Sequence, residues 1–308
     1  MRTPQQLPTE LRFRTFTPAE ARRHGVSDSR LRNRDLHRPF HGVVAARHDL
    51  DLTERCRACA QTIVGGFFSG PTAAALRGVP LPRLPDDVHV SVPAPRRAPR
   101  SAGVVGHSVR IRPGDVTVSN GLPLSSTERM WCELAEALSL EELVVAGDHL
   151  VATRAPTTTV EALRAALTSY PGRRGRGRLV GALDLIDPAA ESPQESRLRV
   201  RLLQAGIGGF VANPPLHTSS GRRYRGDLVF PASRVVLEYQ GDHHREPQAY
   251  RSDLSRQLDL QADGWQIVQL GPEDIADEGL GRRIRAVLAL RSHRRVTAEL
   301  PGRSWRAG

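Results

Sequence analysis

Asp227, Glu238 and Gln240 are the residues of this chain whose types and spacing point most directly to chemistry. Asp227 stands in Arg225-Gly226-Asp227-Leu228-Val229-Phe230. After a short turn from Pro231 to Arg234, Glu238 and Gln240 close the run Val235-Val236-Leu237-Glu238-Tyr239-Gln240. Both runs are apolar and β-branched and read as strands joined across a tight turn. Side chains two apart on a strand share a face, so Glu238 and Gln240 point the same way, and pairing of the two strands brings Asp227 beside them. Two carboxylates and an amide ending apolar strands are costly to bury unless a cation or hydrogen bonds satisfy them. Such a set suits a Mg²⁺ (or Mn²⁺) site for phosphodiester hydrolysis.

The elements that must position these groups follow from local pattern. A helix is expected from Glu195 to Gln204, preceded by Ser192-Pro193 and ended at Gly206. On it Glu195, Leu198 and Leu202 recur at helical spacing, so a carboxylate shares a face with the core. Strands are expected near 209–217, 224–230 and 235–240, a helix from Tyr250 to Ala262, and a strand from Trp265 to Leu270. The order is αβββαβ. Asp253, Arg256 and Asp259 fall on its second helix, where they can brace or extend the site.

The N-terminal 50 residues read differently. Thr17-Pro18-Ala19-Glu20 combines an N-cap, a proline at the first helical position and a glutamate three residues after the cap. That helix stops at Gly25, and Ser27 caps a second one expected from Asp28 to about Leu36, carrying Arg30, Arg32, Asn33 and Arg34. A short helix, a Gly turn and a basic second helix is the layout of a helix-turn-helix groove reader; Pro39 to Ala45 supplies a short strand as a wing. Region 51–170 has a mixed α/β pattern, in which His89, His107 and His149 are isolated. Residues 171–190 read as a basic linker, within which 179–186 can be the end of a helix packed on the middle region, and 191–290 hold the αβββαβ pattern. A basic, disordered tail is expected over 291–308. The cluster Arg173, Arg174 and Arg176 is either a solvated linker or an arm touching phosphates, and composition favours the linker.

Composition limits the rest. The chain has 308 residues, a length for about two domains of roughly 150 residues each. The net charge is +11, and all 44 basic residues are Arg. The absence of Lys removes Schiff-base, P-loop and other lysine chemistry. A basic surface favours a polyanionic partner, although an Arg-rich composition also follows from a GC-rich genome. Cys56 and Cys59 are spaced CxxC without a second pair at zinc-finger spacing, and two small residues on one apolar helix face is the favoured reading. With no signal-peptide pattern and no apolar run of about 18 residues, a soluble, cytoplasmic protein that does not enter a membrane is expected.

The αβββαβ order, with Asp on the second strand and Glu238-Tyr239-Gln240-Gly241-Asp242-His243-His244 on and after the third, resembles the PD-(D/E)xK, or restriction-endonuclease-like, superfamily. Within it the chain looks most like the very-short-patch-repair-endonuclease-like branch, and Ser192-Pro193-Gln194-Glu195-Ser196 also fits. The resemblance covers about residues 191–275. A less specific one, over about 15–150, is to the winged-helix antitoxins of abortive-infection systems.

The first resemblance implies that Asp227 and Glu238 are metal-binding carboxylates, with the backbone carbonyl of Tyr239 near the same ion. Glu195 would reach the site from the first helix, and His243 or His244 would serve as general acid or base. Gln240 stands where the superfamily has Lys; an amide cannot lend charge to the attacking water but can orient it. The implied activity is Mg²⁺-dependent hydrolysis of DNA; Arg30, Arg32, Asn33 and Arg34, from the helix-turn-helix layout, and Arg173, Arg174, Arg176 and Arg256, from their charge, are the candidate nucleic-acid contacts. The rival expectation is a catalytically inactive DNA-binding regulator of the antitoxin kind, with a cognate toxin as partner. The missing lysine favours the rival; the set of three acids, Asp227, Glu238 and Glu195, favours the enzyme.

Overall fold

The computed structural model describes residues 5–241 and 247–299, with side chains described at 5–241 and 254–291. Asp242, His243 and His244 therefore lie outside the described residues. The architecture is mixed α/β, in two compact units. The first comprises residues 1–146 and 157–183, the second residues 147–156 and 184–308.

The first unit opens with three short helices, α1 (Thr9–Arg12), α2 (Pro18–Arg23) and α3 (Asp28–Leu31). The side chain of Thr17 caps α2 by accepting from the Glu20 N–H, and that of Ser27 caps α3 by accepting from the Arg30 N–H. Gly25 ends α2 at φ 77°, a left-handed conformation open to glycine at no steric cost. Leu11, Phe16, Ala21, Leu31, Leu36 and Val44 enclose a small core among these helices. Helix α3 is a single turn and not the two and a half turns expected. In place of a wing strand, residues 39–45 contribute only the isolated bridges Phe16↔Val44 and His37↔Ala45.

Next come α4 (Leu52–Ala60), β1 (Phe67–Phe68), α5 (Gly70–Leu76), β2 (Val88–Pro93), β3 (Val104–Val109), β4 (Val116–Ser119) and β5 (Leu122–Ser125). The strands form one mixed sheet in the order β3-β2-β1-β5-β4. β4 and β5 are joined by Asn120-Gly121, both at positive φ, the turn chemistry that two-residue hairpins require. Helices α6 (Thr127–Leu134), α7 (Leu140–Val151), α8 (Val160–Ser169) and α9 (Arg176–Leu183) follow. Trp131, wholly buried, donates its indole N–H to the Leu143 carbonyl, satisfying the one polar atom of a large core side chain. Helix α9 thus takes in residues 176–178 of the expected basic connection and runs into 179–183, where a helix end fits the sequence and Leu179, Ala182 and Leu183 are buried.

The second unit contains α10 (Pro193–Gln204), β6 (Val211–Ala212), β7 (Pro215–His217), β8 (Arg223–Arg225), β9 (Leu228–Phe230), β10 (Val235–Tyr239), α11 (Pro247–Ala262), β11 (Gln266–Leu270), α12 (Pro272–Ala276) and α13 (Leu280–Glu299). The four-stranded sheet has the order β11-β10-β9-β6. β10 runs antiparallel to β9 and parallel to β11, with α11 as the crossover. β7 and β8 form a separate antiparallel pair.

Strand alternation divides the sheet's two faces. Leu228, Phe230, Val235 and Leu237 pack with Leu198 and Leu202 of α10 and Ile284 of α13. Val229 and Val236 pack on the opposite face with Leu216 of β7 and Leu260 of α11. Helix α13 runs on to Glu299, so the first nine residues of the expected disordered tail are helical.

Candidate active site

The site is built where β9 and β10 begin to part. Their register pairs Leu237 with Leu228, so one step further Glu238 stands across from Asp227. Both have the parity of Val229 and Val236 and belong to the α11 face of the sheet. Gln240 shares that parity; its backbone N–H donates to the Leu270 carbonyl at 2.8 Å and fastens the end of β10 to β11. Gly226 lets the chain pass close over β10 just before Asp227, since a Cβ there would lie 2.4 Å from Val236 Cγ1.

Asp227 Oδ2 accepts the Tyr239 backbone N–H at 2.7 Å. Burial holds its carboxyl above the usual carboxylate range; the Tyr239 N–H works the other way, and the nearby charge of Glu195 adds to the rise. Glu238 is 7% exposed. It forms an ion pair with Arg256, whose guanidinium also donates to the Arg225 carbonyl. Arg256 was expected to meet DNA; here it neutralises Glu238.

Glu195 comes from the first turn of α10, where Ser192 caps the helix by accepting the Glu195 N–H at 3.2 Å. Its Oε2 accepts from Asn213 Nδ2 at 2.5 Å and from the Glu191 N–H at 3.1 Å. Asn213, at φ 48°, donates its own N–H to the Asp227 carbonyl at 2.9 Å and so ties Glu195 to the strand that carries Asp227. Sequence pattern had not singled out Asn213; an Asn in a turn between strands tolerates the left-handed conformation and offers a side-chain amide, and that is the signal that could have found it. Glu191, which also pairs with Arg154 and Arg225, borders the site.

The structure thus brings together Asp227, Glu238, Glu195 and Arg256. Asp259 lies apart from them, bonded to Arg222 and to the Tyr224 hydroxyl. Among the described residues no group of three or more His, Cys, Asp or Glu side chains is arranged to hold a metal ion. Cys56 and Cys59 are buried on α4, and burial pushes their thiols up to about 12 and about 11, which makes them inert packing residues.

The basic residues expected to read DNA separate into two kinds. Arg30 is 8% exposed and holds Asp35 through two hydrogen bonds of 2.9 and 2.8 Å while donating to the Gln5 carbonyl. It is a structural clamp, because the chain turns after α3 and brings Asp35 back to it. Arg32 and Arg34 are exposed and Asn33 is half-buried, all beyond the end of α3. Arg173, Arg174 and Arg176 are exposed, and Arg176 donates to the Tyr170 carbonyl. None of the described helices is long and apolar enough to cross a membrane.

No protein-family model matches the chain. It is 28% identical over 257 residues, 82% of its length, to the uncharacterized proteins MT2308 and Rv2248 of two Mycobacterium tuberculosis strains, and covers 91% of each. A crystal structure of the RV2827C protein of the same organism aligns with 66% of this chain and 83% of its own, at 20% identity and a TM-score of 0.40.

Proposed function

We propose that the second unit is a restriction-endonuclease-like domain that hydrolyses DNA phosphodiester bonds with Mg²⁺ or Mn²⁺, and that the exposed arginines of the N-terminal, winged-helix-like region help to hold the DNA. One observation carries this reading. Asp227 and Glu238 stand across from one another on one face of a strand pair, with Glu195 near enough to raise Asp227. The donors are carboxylate and carbonyl oxygens, which suit hard divalent cations. A partly buried Asp227 beside a like-charged Glu195 is an imbalance that a cation relieves.

Asp227, Glu238 and the Tyr239 carbonyl would hold the ion. When bound, it supplies a more acidic water and neutralises charge on the phosphoryl oxygens. Gln240 orients water by hydrogen bonding. Glu195, fixed by Asn213, is the carboxylate placed to accept a proton. Arg256 balances Glu238 and would be free to donate to a phosphate if an ion took over that carboxylate's charge. His243 and His244 remain candidates for acid or base.

A nicking assay on plasmid DNA with Mg²⁺ and Mn²⁺ tests the proposal. Cleavage by the native chain that disappears in Asp227→Asn supports it. A specific observation favours a second reading: Glu238 already has its charge met by Arg256, as in a retired site. Salt-sensitive DNA binding with no nicking by either protein would select the inactive regulator.

A further inference from the structure

The first unit brings together two histidines that are 18 residues apart in sequence. β2 and β3 run parallel in a register that sets Ser91 opposite His107. Opposed residues share a face of the sheet, and His89, two before Ser91, shares it too. The two rings lie 5.5 Å apart, nearly parallel at 16°, and His89 Nδ1 and His107 Nε2 face one another across a hydrogen bond of 3.3 Å, in which the tautomer decides the donor.

They border a cavity of about 90 Å³ whose lining includes Ser69, Ser91, Glu136 and Tyr170. A water needs only about 10–15 Å³ of such space, so an ion with its own waters fits. The floor is already satisfied, since the Ser91 hydroxyl donates to that of Ser69 at 2.7 Å.

We propose that His89 and His107 form an open binding site for a borderline transition-metal ion of the Zn²⁺ or Co²⁺ type. The argument is metric. Two imidazole nitrogens bound to Zn²⁺ at about 2.0–2.1 Å and a tetrahedral angle stand about 3.3 Å apart, the separation found here. Imidazole suits Zn²⁺, Cu²⁺, Ni²⁺ and Co²⁺, and Mg²⁺ does not compete for it. With two protein ligands the site is weaker than a closed structural zinc site and leaves coordination positions for water or a small anionic ligand. In the metal-free chain one of these two nitrogens donates to the other, so an ion that binds both takes the place of that shared proton. The site lies in a different unit from Asp227 and Glu238 and is independent of the nuclease reading.

The test is titration of the full, metal-stripped chain with Co²⁺, read by its visible ligand-field absorption, with Mg²⁺ in excess to fill any carboxylate site. One equivalent should bind with a nitrogen-ligated spectrum, and His89→Gln and His107→Gln should each weaken binding at least about tenfold. His107 is half-buried on an edge strand, so its Gln variant should keep the native circular dichroism. A native chain giving no such spectrum overturns the site. A spectrum retained in both Gln variants does so as well, by placing the ion on other histidines.

Discussion

Asp227 Oδ2 accepts the backbone N–H of Tyr239 at 2.7 Å, so the acid on one strand is locked to the strand that carries Glu238. Even so, burial and the charge of Glu195 leave Asp227 above the usual carboxylate range. The folded state therefore holds this proton more tightly than the unfolded chain does. The ionised group is neutral to stability below its unfolded pKa and destabilising once pH rises through the folded value. Asp227→Asn keeps an acceptor for Tyr239 and removes the charge. It should melt at a higher temperature than the native chain at pH 7, with the difference vanishing in acid, while any nicking is lost. Equal melting temperatures at pH 7 would contradict this account.

Arg256 should act as a placeholder for a cation. Arg256→Ala leaves the mostly buried Glu238 without its guanidinium and should cost about 1–3 kcal/mol in metal-free buffer. Mn²⁺ should restore most of that loss and bind more tightly than to the native chain, because it no longer competes with an internal cation. Denaturant titrations with and without Mn²⁺ measure both effects, and a loss that Mn²⁺ leaves unchanged argues against a metal at Glu238.

Arg199 and Asp148 form an ion pair of 2.7 Å within the second unit, both nearly sealed from solvent, and Asp148 also accepts the Asp187 N–H at 2.8 Å. Removing one partner of a buried pair typically costs about 3–5 kcal/mol. Asp148→Ala should show a loss of that size in urea unfolding. The paired change Asp148→Leu with Arg199→Met should recover much of it, since neither charge is left alone.

Arg32 and Arg34 should contribute to DNA affinity, and Arg30 should not. Replacing both exposed residues by Ala is expected to lower the slope of log affinity against log salt by about two, one for each phosphate contact. Arg30→Ala should instead lower stability by about 1–3 kcal/mol through its lost hydrogen bonds to Asp35 and Gln5. Fluorescence anisotropy over a salt series distinguishes the two, and an unchanged slope in the double variant removes these arginines from the interface.

Local rules made some of this legible. Thr17-Pro18 marks a helix start with a side-chain cap, where expected, whereas Ser192 caps a helix that begins at Pro193, two residues before the expected Glu195. Alternation put Glu238 and Gln240 on one face, and the strand register is what sets Asp227 across from Glu238. Long-range pairing was not legible. Arg30 reads as a groove contact until Asp35 folds back on it. The Arg/Gly run before Leu179 reads as a linker, yet its last three residues, 176–178, open the helix whose Leu179, Ala182 and Leu183 are buried. His89 and His107 look isolated because the register of two parallel strands, which no local pattern encodes, is what joins them. The Asn120-Gly121 hairpin did carry a local signal.

The pair between Asp148 and Arg199 also bears on how this protein is made. The second unit takes residues 147–156 from upstream of α8 and α9, then resumes at 184. During synthesis, Asp148 leaves the ribosome before α10 exists and must wait for Arg199, while the intervening chain folds into the other unit. A fragment starting near residue 191 carries Asp227, Glu238 and Glu195 but lacks Asp148, and so leaves the buried Arg199 without its counter-ion.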